Sequence, residues 1–291
     1  MTLLIVLITL ALVQIWGSGA PLHRDGWFSR WSRHLQTMPS INGNSGLLLG
    51  VTILVPVLIS AIVMVVAEDA AGSLGYLLMG VPLLLYCLGR GNFNETVANY
   101  LRNWYSGDFD GAAKAASPIL RELHEAPSDD TCLHEQVFRG AAYCAFERLF
   151  AVLFWFILLG IPGAILFRLS ALYAEDTRGS TEEATAARWL WLLEWLPVRV
   201  MGLSFAIVGN FAGCYRAWRR VLMCRESDTD QVLEAYLEGA LGGIDASECS
   251  GGSDLSQVQR QSGAEIEGLQ ALLSRTLLLW ITGLALLALF I

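Results

Sequence analysis

The sequence predicts an all-α polytopic membrane protein with about six membrane segments and a cytoplasmic helical layer. Of its 291 residues, 54% are hydrophobic and only 16% are charged, whereas soluble domains average roughly 25% charged residues. Several long apolar runs approach the length that an α-helix needs to cross a bilayer. Polar stretches with helical periodicity lie between them. These observations together favour helices both inside and beside a membrane.

The clearest apolar run extends from residue 149 to residue 167, which is 19 residues without a charge. At ~1.5 Å per residue it would be about 28 Å long as a helix, close to the thickness of a hydrocarbon core. The sequence therefore predicts a membrane span here. Gly160-Ile161-Pro162-Gly163 interrupts the run and predicts a kink, since proline removes one backbone hydrogen bond.

The N-terminal run from Thr2 to Trp16 is apolar and has no Lys or Arg ahead of it. Because secretory signal peptides normally begin with positive charge, we interpret it as a retained span. Cleavage near residues 18–20 remains the alternative. The next segment, residues 23–36, interleaves tryptophan and arginine at helical spacing and predicts an interfacial amphipathic helix.

Two further runs, Leu47 to Ala67 and Leu74 to Leu88, are separated by little more than Glu68 and Asp69. So short a connection predicts an antiparallel helical hairpin. Each run contains one proline, which frees a carbonyl that another group must satisfy. We therefore expect both helices to pack inside a bundle.

Residues 89–148 are polar and predict two or three soluble helices. Asn94 can cap a first helix, in which Val97, Tyr100 and Trp104 share one face with Leu101. A second helix should run from residue 110 to 123. A third, beginning after residue 128, should continue into the span that starts at Leu149. The whole region is the expected cytoplasmic layer.

The longest run of uncharged residues in the stretch from residue 188 to 220 is only 16 residues, Val200 to Tyr215. A helix that crosses the membrane here must include Glu194 and Arg199. Each would cost roughly 2 to 3 kcal/mol if it faced lipid, so each should face the interior or reach the headgroups. The expected organisation is membrane segments at 1–88, helical layer at 89–148, membrane segments at 149–214, cytoplasmic loop at 215–275 and last span at 276–291.

Basic residues are unevenly divided between the two sides of this arrangement. The side with residues 17–46, 89–148 and 215–275 carries 15 of the 19 Lys and Arg, so we expect it to be cytoplasmic. The other four are Arg168, Arg178, Arg188 and Arg199. The net charge of -8 and the single lysine argue against a nucleic-acid partner. The lipid bilayer is the expected environment.

Neither a metal nor a cofactor is predicted. The six cysteines form no CxxC pair and no spacing with histidine that is typical of a zinc site. No P-loop and no GxGxxG motif is present. The candidate functional residues are instead Glu147, Glu194 and Arg199, ionisable side chains at or within apolar helices. Such residues form a ligand site or, alternatively, pair structurally or anchor a span end.

Several segments together resemble the AmpE family of inner-membrane proteins, which belongs with the CobD/CbiB cobalamin-assembly synthases. The features that carry the resemblance are Pro162, Gly163 and Arg168 in one apolar segment and Trp195, Pro197, Arg199 and Asn210 in another. The matching segments read LFWFILLGIPGAILFRL, WLLEWLPVRVMGLSFAIVGNF, YLRNWYSGDFDGAA and EIEGLQALLSRTLLLW. They are spread over most of the chain.

The resemblance implies a non-enzymatic signal modulator in the bacterial inner membrane that is linked to cell-wall recycling and β-lactamase induction. A muropeptide or a protein is then the expected partner. The synthases are similar but carry Glu and Asn where this chain has Tyr143 and Cys144, and acidic residues where it has Leu190 and Trp191. Joining an acid to an amine with ATP requires carboxylates that hold Mg²⁺. A residual amide synthase, or a transporter of a phosphorylated or muropeptide ligand, is the alternative.

Overall fold

The computed structural model describes residues 1–16, 25–38, 43–88, 93–120, 130–221, 228–241 and 255–290. Within these ranges the regular structure is helical and no strand occurs, so the predicted all-α class is confirmed. The helices are α1 (Thr2–Trp16), α2 (Gly26–Gln36), α3 (Ser45–Cys87), α4 (Phe93–Ser106), α5 (Phe109–Leu120), α6 (Asp130–Ala145), a π-helical turn (Phe146–Ala151), α7 (Val152–Leu159), α8 (Ile161–Asp176), α9 (Glu183–Val208), α10 (Phe211–Val221), α11 (Thr229–Leu241) and α12 (Leu255–Phe290).

The chain forms two compact units. The first contains Met1–Gly91 and Glu147–Pro197, and the second contains Asn92–Phe146 and Val198–Ile291. Each unit thus combines two distant parts of the chain. The possible cleavage site at 18–20 lies outside the described residues. The region 215–275 was expected to be a loop. Its described residues are helical except for residue 228, because the end of α10, all of α11 and the first part of α12 fall within it.

Four helices in the described part of the chain are long and apolar enough to cross a membrane. They are Ser45–Cys87, Cys132–Leu159, Glu183–Val208 and Gln261–Phe290, and α1 is apolar but shorter. On α3 the exposed side chains Leu58, Ile62 and Val66 follow one another at four-residue spacing and form an apolar stripe. Such a stripe suits contact with lipid. The protein is a multi-pass membrane protein, and the predicted number of segments is approximate.

The predicted break between the two runs of α3 occurs at Gly72. Its φ of 58° and ψ of -141° are not helical, and few residues other than glycine adopt them. Three residues later, Gly75 has no room for a Cβ, because the carbonyl of Ala67 occupies that space. A residue can meet the carbonyl eight positions before it only if the helix axis changes direction sharply. The chain therefore bends back at this point.

A second helix break at a non-helical glycine occurs at Gly160, where φ is 70° and ψ is -155°. Helix α7 ends at Leu159, α8 begins at Ile161, and Gly163 lies against the carbonyl of Trp155 without room for a Cβ. The predicted position of the kink is correct, but a single span from 149 to 167 is wrong because the helix ends inside it. The candidate span here is Cys132–Leu159. As predicted, the helix from the polar layer continues into it.

In its described parts, 93–120 and 130–145, the polar region forms three helices, in line with the two or three that the sequence predicted. The buried face of α4 consists of Val97, Tyr100 and Trp104. The turn after α4 uses Gly107 at a φ of 77°, and the Asp108 carboxylate accepts a hydrogen bond from the Gly111 N–H at 2.9 Å. This Asp108 bond satisfies one of the free N–H groups at the start of α5.

The segment after Phe167 lies at the same end of the first unit as α2. Ser29 Oγ donates to Asp176 Oδ2 at 2.9 Å, and Thr185 Oγ1 donates to Ser45 Oγ at 3.3 Å. Groups on opposite sides of a hydrocarbon core about 30 Å thick cannot form hydrogen bonds. The assignment of residues 168–188 to the side opposite residues 17–46 was therefore wrong. Moving their three arginines strengthens the basic bias of the α2 side.

We predict that Arg33→Cys and Arg178→Cys will be labelled from the same side of the membrane. Both positions are exposed, and the two hydrogen bonds above place them at one end of the first unit. Impermeant maleimide should label neither in intact cells and both after permeabilisation, with the wild-type chain as the control for native cysteines. Labelling of Arg178→Cys alone from outside would contradict this placement. Labelling of native Cys132 or Cys249 from outside would contradict the predicted orientation.

Candidate functional site

The three residues predicted from the sequence lie in different environments. Glu147 is partly exposed in the π-helical turn, whereas Glu194 and Arg199 on α9 are only 3% and 6% exposed. Glu194 belongs to the first unit and Arg199 to the second. Both make interactions and neither is an isolated charge. The burial of Glu194 and Arg199 favours side chains that face the protein interior over side chains that reach the lipid headgroups. A ligand site formed by both residues stays a prediction.

Arg199 lies beside aromatic residues of the second unit. Trp218 Nε1 donates to the Arg199 carbonyl at 3.2 Å. Burial raises the pKa of Tyr236 to about 12, and the charge of Arg199 opposes that rise. The Tyr236 ring packs against Gly202, where no Cβ would fit, and its buried hydroxyl has no hydrogen-bond partner among the described residues. The close contact between Tyr236 on α11 and Gly202 on α9 thus holds the part of α9 that carries Arg199 in position.

A buried polar network in the first unit centres on Asp25, the residue before α2. Tyr86 Oη donates to Asp25 Oδ1 at 2.9 Å, and Trp27 Nε1 donates to the Tyr86 hydroxyl at 3.2 Å. Arg168 Nη2 lies 3.5 Å from Asp25 Oδ2. The network joins the start of α2, the end of α3 and the middle of α8. It fixes α2 within the first unit through one carboxylate.

Arg168 is the most heavily buried member of this ion pair. Only 5% of the residue is exposed, and its Nε has no hydrogen-bond partner in the described part of the chain. A guanidinium has five donors, and a buried one is costly unless they are satisfied. Asp25 therefore carries most of the compensation for the Arg168 charge. The pair is a structural element, or a site with capacity for one more acceptor.

A second network links three helices of the second unit through His134. Its Nδ1 lies 3.2 Å from Tyr100 Oη and its Nε2 lies 3.0 Å from Glu265 Oε2. The Trp104 ring lies against both the histidine and Tyr100, with centroids 5.4 and 5.6 Å away. Burial, followed by the Glu265 charge, raises the pKa of Tyr100. The histidine thus connects α4, α6 and α12.

A third ion pair connects α6 and α11, with Arg139 Nε 2.6 Å from Glu234 Oε1. Burial nevertheless raises the pKa of Glu234, because desolvation outweighs the hydrogen bond and charge of Arg139. Desolvation prevails because Glu234 is half-buried, whereas Arg139 is exposed and its charge is screened by water. Among the described residues, no group of three His, Cys, Asp or Glu side chains could hold a metal ion.

Most of the chain matches a single known family. A family profile described as "Regulatory signalling modulator protein AmpE" matches residues 1–241. The chain belongs to the AmpE family. The match includes Asp25, Glu147, Arg168, Glu194 and Arg199 and ends at the last residue of α11. The family description supports a regulatory role for this AmpE-family protein.

The AmpE-family chain is also similar to curated proteins named "Cobalamin biosynthesis protein CobD". The protein from Chromobacterium violaceum is 28% identical over 175 residues, which cover 57% of this chain and 54% of the relative. The protein from Stutzerimonas stutzeri is 32% identical over 174 residues, which cover 56% and 55%. The chain thus spans about half the length of these relatives. No solved structure matches it significantly.

At the positions where the resemblance implies Glu and Asn in the synthases, the AmpE-family chain presents an aromatic ring and a thiol. Tyr143 is partly exposed and its ring lies 6.4 Å from that of Phe146. Cys144 is buried. Neither side chain is a hard oxygen ligand of the kind that Mg²⁺ prefers. Glu147, one turn further along, is the carboxylate that remains in this segment.

Sequence reasoning missed Asp25 and His134 in this AmpE-family protein. The partner of Arg168 is 143 residues away, and nothing nearby in the sequence indicates it. A buried arginine does require a carboxylate, so the existence of a partner could have been inferred, although its identity could not.

Proposed function

We propose that this AmpE-family protein is a non-enzymatic regulatory and sensory modulator of the bacterial inner membrane, linked to cell-wall recycling and β-lactamase induction. The observation that carries this proposal is the regulatory family profile matching residues 1–241. Four candidate spans support a membrane location. A modulator of this kind would bind a muropeptide or a protein partner and pass the signal through its cytoplasmic helices.

The residues around Glu147 support a role without catalysis. ATP-dependent amide formation needs carboxylates that hold Mg²⁺ against the transferred phosphates. Tyr143 and Cys144 cannot supply them. The buried charges at Arg168, Glu194 and Arg199 then serve to hold helices in a defined arrangement. A ligand or partner that prefers one arrangement would shift the population toward it.

The proposal is tested by deleting the gene in its own host and measuring β-lactamase activity with and without a β-lactam inducer. Induction should fall toward the uninduced level, and the wild-type gene on a plasmid should restore it. Basal activity, growth and cell shape serve as controls. An induced activity that is unchanged by the deletion would refute the linkage to β-lactamase.

The second candidate is a residual amide synthase or a transporter, which the similarity to the CobD proteins favours. Complementation of a cobalamin-synthase deletion tests the amide-synthase hypothesis, because growth without added cobinamide would require amide formation. We expect no growth. A thermal shift of the purified protein with nucleotide and Mg²⁺ would favour the synthase, whereas a shift with anhydromuropeptide would favour the sensory role or a muropeptide transporter.

A further inference from the structure

Helix α9 contains a proline whose missing hydrogen bond is replaced from another helix. Pro197 has no N–H to donate to the carbonyl of Leu193, four residues earlier, and its ring clashes with that carbonyl. Leu193 is buried, and a buried carbonyl without a donor is costly. Trp155 Nε1 on α7 donates to this carbonyl at 3.1 Å. The indole thus supplies the bond that the proline cannot form.

A second pair of tryptophan and proline, in α2 and α3, has the same arrangement. Trp31 Nε1 donates to the carbonyl of Thr52 at 3.2 Å, and Thr52 lies four residues before Pro56. In both pairs the donor is a side chain of a neighbouring helix, which is how a helix bundle satisfies a carbonyl freed by proline. The repeated four-residue spacing indicates that each indole is placed with respect to the proline.

The backbone of Trp155 is fixed by the turn at Gly160. Its carbonyl lies against Gly163, where no Cβ would fit, so α7 and α8 are in direct backbone contact at this residue. The indole extends from this contact to α9, where it meets the Leu193 carbonyl. Because the backbone of Trp155 is held, the bond to α9 is made or lost by rotation of one side chain.

The two halves of α9 are held separately on either side of Pro197. Before the proline, Trp189 Nε1 donates to Ser170 Oγ at 2.9 Å within the first unit. After the proline, Trp280 Nε1 donates to Ser204 Oγ at 2.9 Å within the second unit. The first unit ends at the proline itself. A local opening of α9 at this residue would leave both of these hydrogen bonds intact.

We propose that Trp155 is a latch on α9, whose hydrogen bond to the Leu193 carbonyl keeps the helix closed at Pro197. When the indole leaves this carbonyl, the helical turn around the proline opens and the two halves of α9 change their angle. The proline provides a permanent weak point in the helix, and the indole provides a bond that can be removed. The latch goes beyond the proposed regulatory function and does not rest on it.

Hydrogen–deuterium exchange of the full-length protein in detergent, read by mass spectrometry, measures how often α9 opens at Pro197. Trp155→Phe keeps an aromatic ring but removes the donor, and should raise the exchange rate of the amides in 194–201 about tenfold. Trp189→Phe is the matched control, because its indole donates to a serine side chain. This control should change the same amides by less than about twofold. Equal increases in both variants, or none in Trp155→Phe, would overturn the proposal.

A double-mutant cycle separates the latch from ordinary packing of the indole. In Pro197→Ala the new amide at position 197 donates to the Leu193 carbonyl, so that adding Trp155→Phe should change exchange by less than about twofold. A tryptophan that only fills space would cost the same in both backgrounds. Circular dichroism checks that each variant is folded. If Trp155→Phe alone does not fold, Pro197→Ala should restore its folding. A tenfold increase that persists in Pro197→Ala, or a failure to restore folding, would overturn the latch.

Discussion

Asp25→Ala should lower the free energy of unfolding by about 3 to 5 kcal/mol, the usual cost of leaving one buried charge without its partner. The Arg168 guanidinium is buried, lies 3.5 Å from the Asp25 carboxylate, and has no described partner at Nε. Removing the carboxylate also frees the Tyr86 hydroxyl from its 2.9 Å hydrogen bond. Denaturant titration in detergent micelles, followed by circular dichroism, measures the change.

Two further variants make this result specific. Asp25→Ala combined with Arg168→Leu should recover most of the loss, because no unpaired charge then remains buried. Asp176→Ala removes the exposed carboxylate that accepts from Ser29, and should change stability by less than about 0.5 kcal/mol. If Asp25→Ala costs no more than Asp176→Ala, the buried network does not hold α2 in place.

Arg199→Leu should destabilise the protein by about 3 kcal/mol and abolish β-lactamase induction, since its interaction partners would lose a buried cation. The pKa of Tyr236 should rise further, because the charge of Arg199 now opposes the effect of burial. Glu194→Gln should have a smaller effect, because the amide can still accept a hydrogen bond from a donor. Thermal melting in detergent and induced β-lactamase activity in cells are the two measurements.

The matched control is Arg219→Leu, which removes an exposed arginine from α10 and should leave melting and induction unchanged. Arg199→Lys separates charge from shape, because lysine keeps the charge but loses the planar fork. If Arg199→Lys and Arg199→Leu both leave expression, melting temperature and induction unchanged, the interior-site interpretation must be abandoned.

The all-α membrane class followed from composition and apolar run length, which depend on many residues at once. The position of the break at Gly160 could also be predicted, because glycine and proline act locally. The end of helix α7 at this position could not be predicted, because it depends on Gly160 adopting a φ of 70°. Hydropathy averages over a window of about 19 residues and does not register a single dihedral angle.

The partners in the buried networks could not be predicted from the sequence for a different reason. The pairs Asp25 with Arg168 and His134 with Glu265 are separated by 143 and 131 positions. One sequence contains no information on which distant side chains meet. The side of the membrane predicted for residues 168–188 was wrong for a related reason. Each apolar run was expected to cross the membrane once, but this run contains two helices.

Both backbone polar groups of Gly160 are hydrogen-bonded within the turn. The Gly160 N–H donates to the Phe156 carbonyl at 2.8 Å, and the Gly160 carbonyl accepts from the N–H groups of Gly163 and Ala164 at 3.1 and 3.2 Å. Loops are normally excluded from hydrocarbon because their amide groups would lose water without replacement. The amide groups of Gly160 therefore need no water. They can lie within hydrocarbon, with the exposed Leu158 and Leu159 beside the turn in contact with acyl chains.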